Sequence, residues 1–121
     1  MLVSLAPPLP GGSGTFSIAT WNIRSSRGTG LAAAAKGLRQ MGVGCAVLTE
    51  TKLTNDWYPK FVSGYRVISS KAASPHQGGV ALLWRELEDQ GFFVEAVHIA
   101  SLNILTFQLV TGEDRFFVIG A

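Results

Sequence analysis

The feature that most constrains the fold is a pair of short, mostly apolar runs with a helical pattern between them. Residues 16–20 and 45–49 have the length and composition of strands. Five apolar residues recur between them at helical spacing, which predicts an amphipathic helix over residues 31–41: Leu31, Ala34, Ala35, Leu38 and Met41. Gly42 supplies a helix stop. A strand, a crossover helix and a second strand make a βαβ unit, whose two strands run parallel.

Polar residues follow both runs. The first run leads into Ala-Thr-Trp-Asn-Ile-Arg at residues 19–24, and the second leads into Leu-Thr-Glu-Thr-Lys at residues 48–52. Parallel neighbours end at the same edge of a sheet, where open α/β sheets bind ligands, so Asn22 and Glu50 are expected to lie together. An amide beside a carboxylate suits a hard cation and a phosphate. From spacing alone the simpler interpretation is favoured, in which Asn22 caps a turn and Glu50 is a solvated loop charge.

The composition is that of one globular domain. The chain has 121 residues, of which 47% are hydrophobic and 15% charged, so it is long enough and apolar enough to form a core. A net charge of +2 and a pI near 9.0 are compatible with a polyanionic partner but weak evidence for one. No apolar run reaches transmembrane length, and we expect no membrane partner. Cys45, the only cysteine, lies in an apolar run typical of a buried core thiol.

The chain divides into a lead-in and a domain. Residues 1–14 contain Pro7, Pro8 and Pro10, which predicts a flexible lead-in without a fold of its own, followed by the domain at residues 15–121. Within the domain, residues 54–64 are expected to be a loop or short helix. Five further strands are predicted: 65–69, 79–84, 92–98, 102–110 and 115–120.

The last three strands are predicted to form an antiparallel meander. Leu105, Phe107 and Leu109 alternate with polar residues and mark one buried face. We expect the meander to join the other strands in one sheet, covered by the helix on one face and bare on the other. The chain stops on the apolar residues 118–121, and we interpret the sequence as truncated.

Three motifs carry a resemblance to a known family. They are Thr-Trp-Asn at residues 20–22, Thr-Glu-Thr-Lys at 49–52 and Gly-Gly-Val-Ala-Leu-Leu at 78–83. Together they resemble the endonuclease/exonuclease/phosphatase superfamily, in which one strand ends in Trp-Asn, a second ends in Gln-Glu-Thr and a Gly-Gly strand follows. The closest similarity is to the endonuclease domain of non-LTR retrotransposons. The resemblance covers residues 16–121, which match only the first half of the family's domain.

The resemblance implies a fold and a chemistry. The fold would be α/β, the N-terminal half of a two-sheet sandwich with a βαβ unit followed by mostly antiparallel strands. The activity would be divalent-metal phosphodiester hydrolysis, with Glu50 binding Mg²⁺ or Mn²⁺ and Asn22 helping to hold the phosphate. Trp21 matches a packing residue beneath the site, whereas Arg24 and Lys52 are candidate contacts to nucleic-acid phosphate.

The sequence departs from the family's pattern in two ways. Arg24 stands where many members carry an acidic or amide residue, and an arginine does not bind a cation. The Asp-x-Asn and Asp-His pairs of the family are absent, and neither His76 nor His98 matches its catalytic histidine. The general base and most metal ligands would lie in the missing half, so we expect the metal only in the complete domain and no activity from this chain alone.

Three hypotheses follow. The first is a fragment of a retrotransposon-type DNA endonuclease, whose partners would be DNA and the missing second half of the domain, with no small-molecule cofactor. Such a protein would be intracellular, and nuclear if it comes from a eukaryotic element. The second is another phosphodiesterase or phosphatase of the same superfamily. The third is a non-catalytic α/β module that only binds partners.

Overall fold

The computed structural model describes residues 2–5, 16–23, 30–52, 60–70, 78–85, 93–110 and 114–120. These residues form one helix and nine strands. In chain order they are β1 (Leu2–Leu5), β2 (Phe16–Asn22), α1 (Gly30–Gln40), β3 (Cys45–Thr49), β4 (Phe61–Val62), β5 (Tyr65–Ser69), β6 (Val80–Arg85), β7 (Phe93–Ser101), β8 (Ile104–Val110) and β9 (Arg115–Gly120).

The predicted βαβ unit is present. Strands β2 and β3 pair in parallel, with Ile18 opposite Cys45, and α1 lies between them in the chain. The helix ends as the sequence predicts, because Gly42 has a φ of 71° and its amide donates to the carbonyl of Arg39 at 3.0 Å. The amide of Val43 donates to the carbonyl of Leu38 at 3.0 Å, which completes a Schellman motif.

The first sheet has six strands in the order β1-β2-β3-β6-β5-β4. The central strands β3 and β6 are buried on both faces, and one face is covered by α1. The residues of this helix-side core are Ala19, Leu31, Ala34, Ala35, Leu38, Val43, Ala46, Leu48, Tyr65, Val67, Ala81 and Leu83. The hydroxyl of Tyr65 donates to the carbonyl of Val43 at 2.6 Å, which satisfies the polar atom of this buried side chain.

The second sheet is the predicted antiparallel meander, β7-β8-β9. Leu105, Phe107 and Leu109 of β8 are fully buried, as expected, and burial of each contributes about 1.5–3 kcal/mol. They pack against the first sheet in a second core with Cys45, Val47, Val80, Leu82 and Trp84. The sheets approach closely at Gly120, where a Cβ would lie 2.7 Å from Cγ1 of Val47.

The prediction of one sheet with a bare face was wrong. The meander forms a separate sheet, and it covers the face of the first sheet that α1 leaves open. The physical reason lies in β3 and β6, whose side chains are apolar in both directions and therefore need cover on both faces. The structure is thus an α/β fold in which two sheets pack face to face.

Two smaller predictions also need correction. Leu2–Leu5, within the expected lead-in, form β1 and pair antiparallel with β2, which gives the backbone of β2 a partner on its second side. The rest of residues 1–14 lies outside the described residues. Within the expected loop at 54–64, Phe61–Val62 form β4, which a turn at Ser63 and Gly64, with φ values of 49° and 87°, connects to β5.

Candidate functional site

The ends of β2 and β3 lie side by side, as the βαβ interpretation requires. Asn22, the last residue of β2, is opposite Thr49, the last residue of β3. The amide of Ile23 donates to the carbonyl of Thr49 at 3.1 Å, so the pairing continues one residue beyond β2. Glu50 follows Thr49 directly, and the backbones of Asn22 and Glu50 therefore leave the sheet at one edge, which we call the site edge. The side chain of Asn22 is exposed, whereas Glu50 is half-buried.

The carboxylate of Glu50 is held by a backbone amide. Its Oε2 accepts a hydrogen bond from the amide of Gly78 at 3.2 Å, and the amide of Lys52 donates to the carbonyl of Gly78 at 2.9 Å. Glu50 and Lys52 have φ values of 56° and 57°, in the left-handed region that side chains other than glycine seldom adopt. Each such residue costs about 1–2 kcal/mol, and the surrounding pairing must hold it in place.

The Gly78–Gly79 pair allows this approach. Gly78 and Gly79 have φ values of 86° and 99°, which glycine adopts without a steric penalty. The amide of Thr51 donates to the carbonyl of Gly79 at 3.4 Å, so the segment after β3 runs directly beside the two glycines. The glycine pair therefore lets two backbone segments approach closely at the start of β6.

The second sheet supports the site edge through the turn between β7 and β8. Oδ1 of Asn103 accepts a hydrogen bond from the amide of Gly79 at 3.0 Å. The hydroxyl of Ser70 donates to the carbonyl of Leu102 at 2.7 Å and accepts from the amide of Val80 at 2.9 Å. These contacts fix the backbone of the glycine pair, and that backbone holds Glu50 in turn.

The sequence interpretation missed Ser70 and Asn103. The predicted strand at 102–110 included Asn103, whereas the structure places Asn103 in the turn before β8, where its side chain accepts from a backbone amide. That amide lies 24 positions away in the chain. Ser70 is almost fully buried, and a serine at the end of a strand carries no sequence signal for such burial.

The described residues do not assemble a set of side chains that could hold a metal ion. Among them, no group of three histidine, cysteine, aspartate or glutamate side chains lies close enough to hold a metal ion. Their acidic members are Glu50, Glu95 and Asp114. Glu95 pairs with Arg115 at 3.1 Å on the second sheet, and Asp114 precedes β9 at the end opposite the site edge. A Mg²⁺ ion needs further oxygen ligands beyond the carboxylate of Glu50.

The structure describes only some of the remaining predicted site residues. Arg24 lies outside the described residues. Lys52 is half-buried at the site edge, and its contact with phosphate stays a prediction. Trp21 packs beside α1, with ring atoms 3.9 Å from where a Cβ on Gly37 would lie, although the side chain is 44% exposed.

Among the described residues, neither His98 nor Cys45 adds a catalytic group at this edge. His98 is exposed on β7, and His76 lies outside the described residues. Cys45 is fully buried in the core between the sheets, as the sequence predicts. Burial raises the pKa of its thiol to about 12, so Cys45 is protonated at neutral pH and is not a nucleophile.

Comparison with solved structures identifies a similar fold. The chain is similar to the crystal structure of an AP endonuclease from Leishmania major, with a TM-score of 0.64 and 18% sequence identity. The match covers 88% of this chain and 39% of that chain, so the present chain spans about two fifths of the length of the endonuclease. No protein-family model matches the sequence, and no curated protein does. The comparison with the AP endonuclease structure shows the α/β sandwich fold.

In the part of the chain that the structure describes, no helix is long and apolar enough to cross a membrane.

Proposed function

We propose that this chain is the N-terminal part of a metal-dependent phosphodiester hydrolase domain, of the DNA endonuclease type found in non-LTR retrotransposons, and that it is inactive alone. One observation carries the proposal. The carboxylate of Glu50 is held by the amide of Gly78 one residue beyond the end of β3, and Asn22 ends β2, the parallel neighbour of β3. In the complete domain Glu50 is one ligand of Mg²⁺ or Mn²⁺, and Asn22 donates to a phosphate oxygen.

The backbone around Glu50 supports a functional role over a solvated loop charge. Glu50 and Lys52, two residues other than glycine, have positive φ values, and the carboxylate of Glu50 is held by the amide of Gly78, a contact that a solvated loop charge does not require. Such strain is concentrated at functional sites, where the rest of the fold compensates for it. The likeness to an AP endonuclease adds support for the phosphodiesterase class, which includes the retrotransposon-type enzyme and the other phosphoesterases of the superfamily.

The chemistry explains why the chain is expected to be inactive alone. Hydrolysis of a phosphodiester needs an activated water and groups that stabilise the charge developing on phosphate oxygens. Among the described residues at the site edge, Glu50 is the one acidic side chain, and it already accepts a hydrogen bond from Gly78. General acid–base catalysis alone contributes about 10²–10⁴-fold, and Asn22 cannot supply it because an amide does not titrate.

A nicking assay on supercoiled plasmid with Mg²⁺ or Mn²⁺ tests the proposal. The samples are the 121-residue chain, the chain extended by its in-frame downstream sequence, and the extended chain with Glu50→Ala. We expect background cleavage from the first, metal-dependent nicking from the second, and loss of most of that nicking in the third. Metal-dependent nicking by the 121-residue chain that Glu50→Ala abolishes would contradict the inactive-fragment proposal. An inactive extended chain that still binds partners would favour the non-catalytic module.

A further inference from the structure

Three consecutive backbone amides at the start of β6 each donate to a side chain from a different segment of the chain. The amide of Gly78 donates to Oε2 of Glu50 at 3.2 Å, that of Gly79 to Oδ1 of Asn103 at 3.0 Å, and that of Val80 to Oγ of Ser70 at 2.9 Å. The three acceptors lie after β3, in the β7–β8 turn and after β5. Each amide therefore has its own acceptor, and one contact can be replaced without the other two.

The contact at Gly78 differs from the other two in burial and in charge. Gly79 and Val80 are buried, whereas Gly78 and Glu50 are both half-buried, so solvent reaches this contact. Its length of 3.2 Å is the greatest of the three and lies at the long end of the usual range, about 2.7–3.2 Å. Its acceptor is a carboxylate, whereas the other two amides donate to a neutral amide and a hydroxyl oxygen. Of the three amides, that of Gly78 is the one that an anion from solvent can reach.

The backbone around Gly78 suits an anionic acceptor. Gly78 and Gly79 both have positive φ, and backbone amides in turns of this kind form concavities that bind anions. The amide of Lys52 donates to the carbonyl of Gly78 at 2.9 Å, so the backbone of this lysine lies directly beside the glycine turn. Lys52 therefore places a positive charge in the same turn. A carboxylate and a phosphate oxygen make the same demand on an N–H donor, because each is a charged acceptor.

We propose that the amide of Gly78 is a donor to a phosphate group, and that the carboxylate of Glu50 occupies this donor in the ligand-free chain. Glu50 and the phosphate then compete for one amide, and Lys52 favours the phosphate. This subsite lies on the β6 side of Glu50, whereas Asn22 lies on its β2 side. The ligand class is a phosphate group with an anionic oxygen, as in inorganic phosphate and in phosphodiesters. The inference rests on the proposed function only for the choice of phosphate over other oxyanions.

A purely structural role for Glu50 makes the opposite prediction. If the carboxylate only holds the glycine turn in place, its removal loosens the turn and creates no anion site. If it occupies a phosphate donor, its removal frees the amide and also takes away a like charge that repels the phosphate. The proposal therefore expects a gain of binding from the loss of an acidic side chain.

The test is a titration of inorganic phosphate, and separately of the dinucleotide thymidylyl-thymidine, into the ¹⁵N-labelled 121-residue chain. The ionic strength is held constant, divalent metal is absent, and the Gly78 amide resonance is followed. We expect Glu50→Gly to tighten phosphate binding about 10- to 100-fold, as a freed hydrogen bond to a charged group should. Glycine is chosen because it adopts the φ of 56° at this position without a steric penalty.

The dependence on Lys52 and the two probes sharpen the result. Adding Lys52→Gln to the Glu50→Gly chain should remove most of the gain. A gain for both probes shows that a phosphodiester suffices as the ligand. A gain for inorganic phosphate alone restricts the ligand to free or terminal phosphate groups.

The matched control is Glu95→Gln. It removes the same charge from the chain, but on the second sheet, and it leaves an oxygen to accept from Arg115. This variant should leave the phosphate affinity at Gly78 unchanged. No gain in Glu50→Gly, or an equal gain in Glu95→Gln, would overturn the proposal.

A second measurement needs no variant. Excess phosphate added to the wild-type chain should move the amide resonance of Gly78 more than those of Gly79 and Val80, because Asn103 and Ser70 hold the latter two. Equal movement of all three resonances, or none at Gly78, would contradict the proposed subsite. Since no metal is present, these results are independent of the nicking assay, and a failure there would contradict the hydrolase proposal alone.

Discussion

The two faces of the first sheet are covered in different ways, and the difference explains where the candidate site gets its support. The face toward α1 is packed with small side chains, among them Ala34, Ala35 and Ala46, which let the helix lie close. The face toward the second sheet is packed with larger ones, including Leu82, Leu105 and Phe107. The second sheet also supplies Asn103, whose side chain binds the glycine pair beside Glu50.

The helix and the second sheet both stabilise the first sheet, but they differ in whether they also support the site edge. The helix covers the sheet through contacts that are close in sequence to β2 and β3, and none of the hydrogen bonds described at Glu50 comes from it. The second sheet covers the sheet through contacts that are distant in sequence, and it holds the backbone that fixes Glu50. A change on either face should lower stability, but only changes on the second face should alter the site edge.

The largest expected effect comes from truncating the centre of each core. Phe107→Ala removes a fully buried ring and should lower the free energy of unfolding by about 3–5 kcal/mol. Leu38→Ala on α1 should lower it by about 2–5 kcal/mol. Urea unfolding measures both losses. Hydrogen exchange under native conditions should show faster exchange of the Gly79 amide in Phe107→Ala beyond that expected from global destabilisation, but not in Leu38→Ala. Faster exchange of the Gly79 amide in Leu38→Ala but not in Phe107→Ala would contradict the proposed difference between the two faces.

Replacing one glycine on each face should give the next largest change in the free energy of unfolding, and the two changes should have opposite signs. Gly120→Ala places a Cβ 2.7 Å from Val47, and the overpacking should cost about 1–3 kcal/mol. Gly37→Ala places a Cβ 3.9 Å from Trp21, an ordinary contact, and better helix propensity should stabilise the fold by up to about 1 kcal/mol. Thermal unfolding of both variants checks the signs. Stabilisation by Gly120→Ala would mean that β9 does not pack on Val47 as described.

The helix face was largely predictable from the sequence, and the second face was not. The period of Leu31, Ala34 and Leu38 and the stop at Gly42 are local signals, and they gave α1 to within a residue at each end. The alternation in β8 identified the residues that face inward, but alternation does not say which surface they meet. The expectation of a single sheet was wrong because the residues of β7, β8 and β9 carry no local signal that tells which surface these strands pack against.

The candidate site was likewise predictable only in part. The motifs placed Asn22 and Glu50 at the ends of neighbouring strands, since parallel pairing follows from the βαβ connection. The hydrogen bonds of Ser70 and Asn103 join segments 24 to 32 positions apart, and residue type alone gives no partner at such separations. The strand at Leu2–Leu5 was also missed, because the nearby prolines favoured a loop interpretation.

The smallest effect should come from the hydrogen bond that couples the second sheet to the site edge. Asn103→Ala removes the acceptor for the Gly79 amide, and we expect a loss of about 1 kcal/mol in unfolding free energy. Asn103→Asp keeps an acceptor oxygen and should retain protection of that amide. Hydrogen exchange of Gly79 measures the contact directly. Equal protection of Gly79 in the wild type and in Asn103→Ala would show that the turn does not support the site edge.

The central claim is that Glu50 and Asn22 form a binding site for a cation and a phosphate at the site edge. The most direct test is a Mn²⁺ titration followed by NMR. Because one carboxylate binds such an ion weakly, we expect selective paramagnetic broadening only at millimolar Mn²⁺. It should appear first at the Gly78 amide and the Asn22 side-chain amide, and it should be lost in Glu50→Gln but kept in Glu95→Gln. Broadening that survives Glu50→Gln, or that is centred on Glu95 or Asp114, would contradict the account.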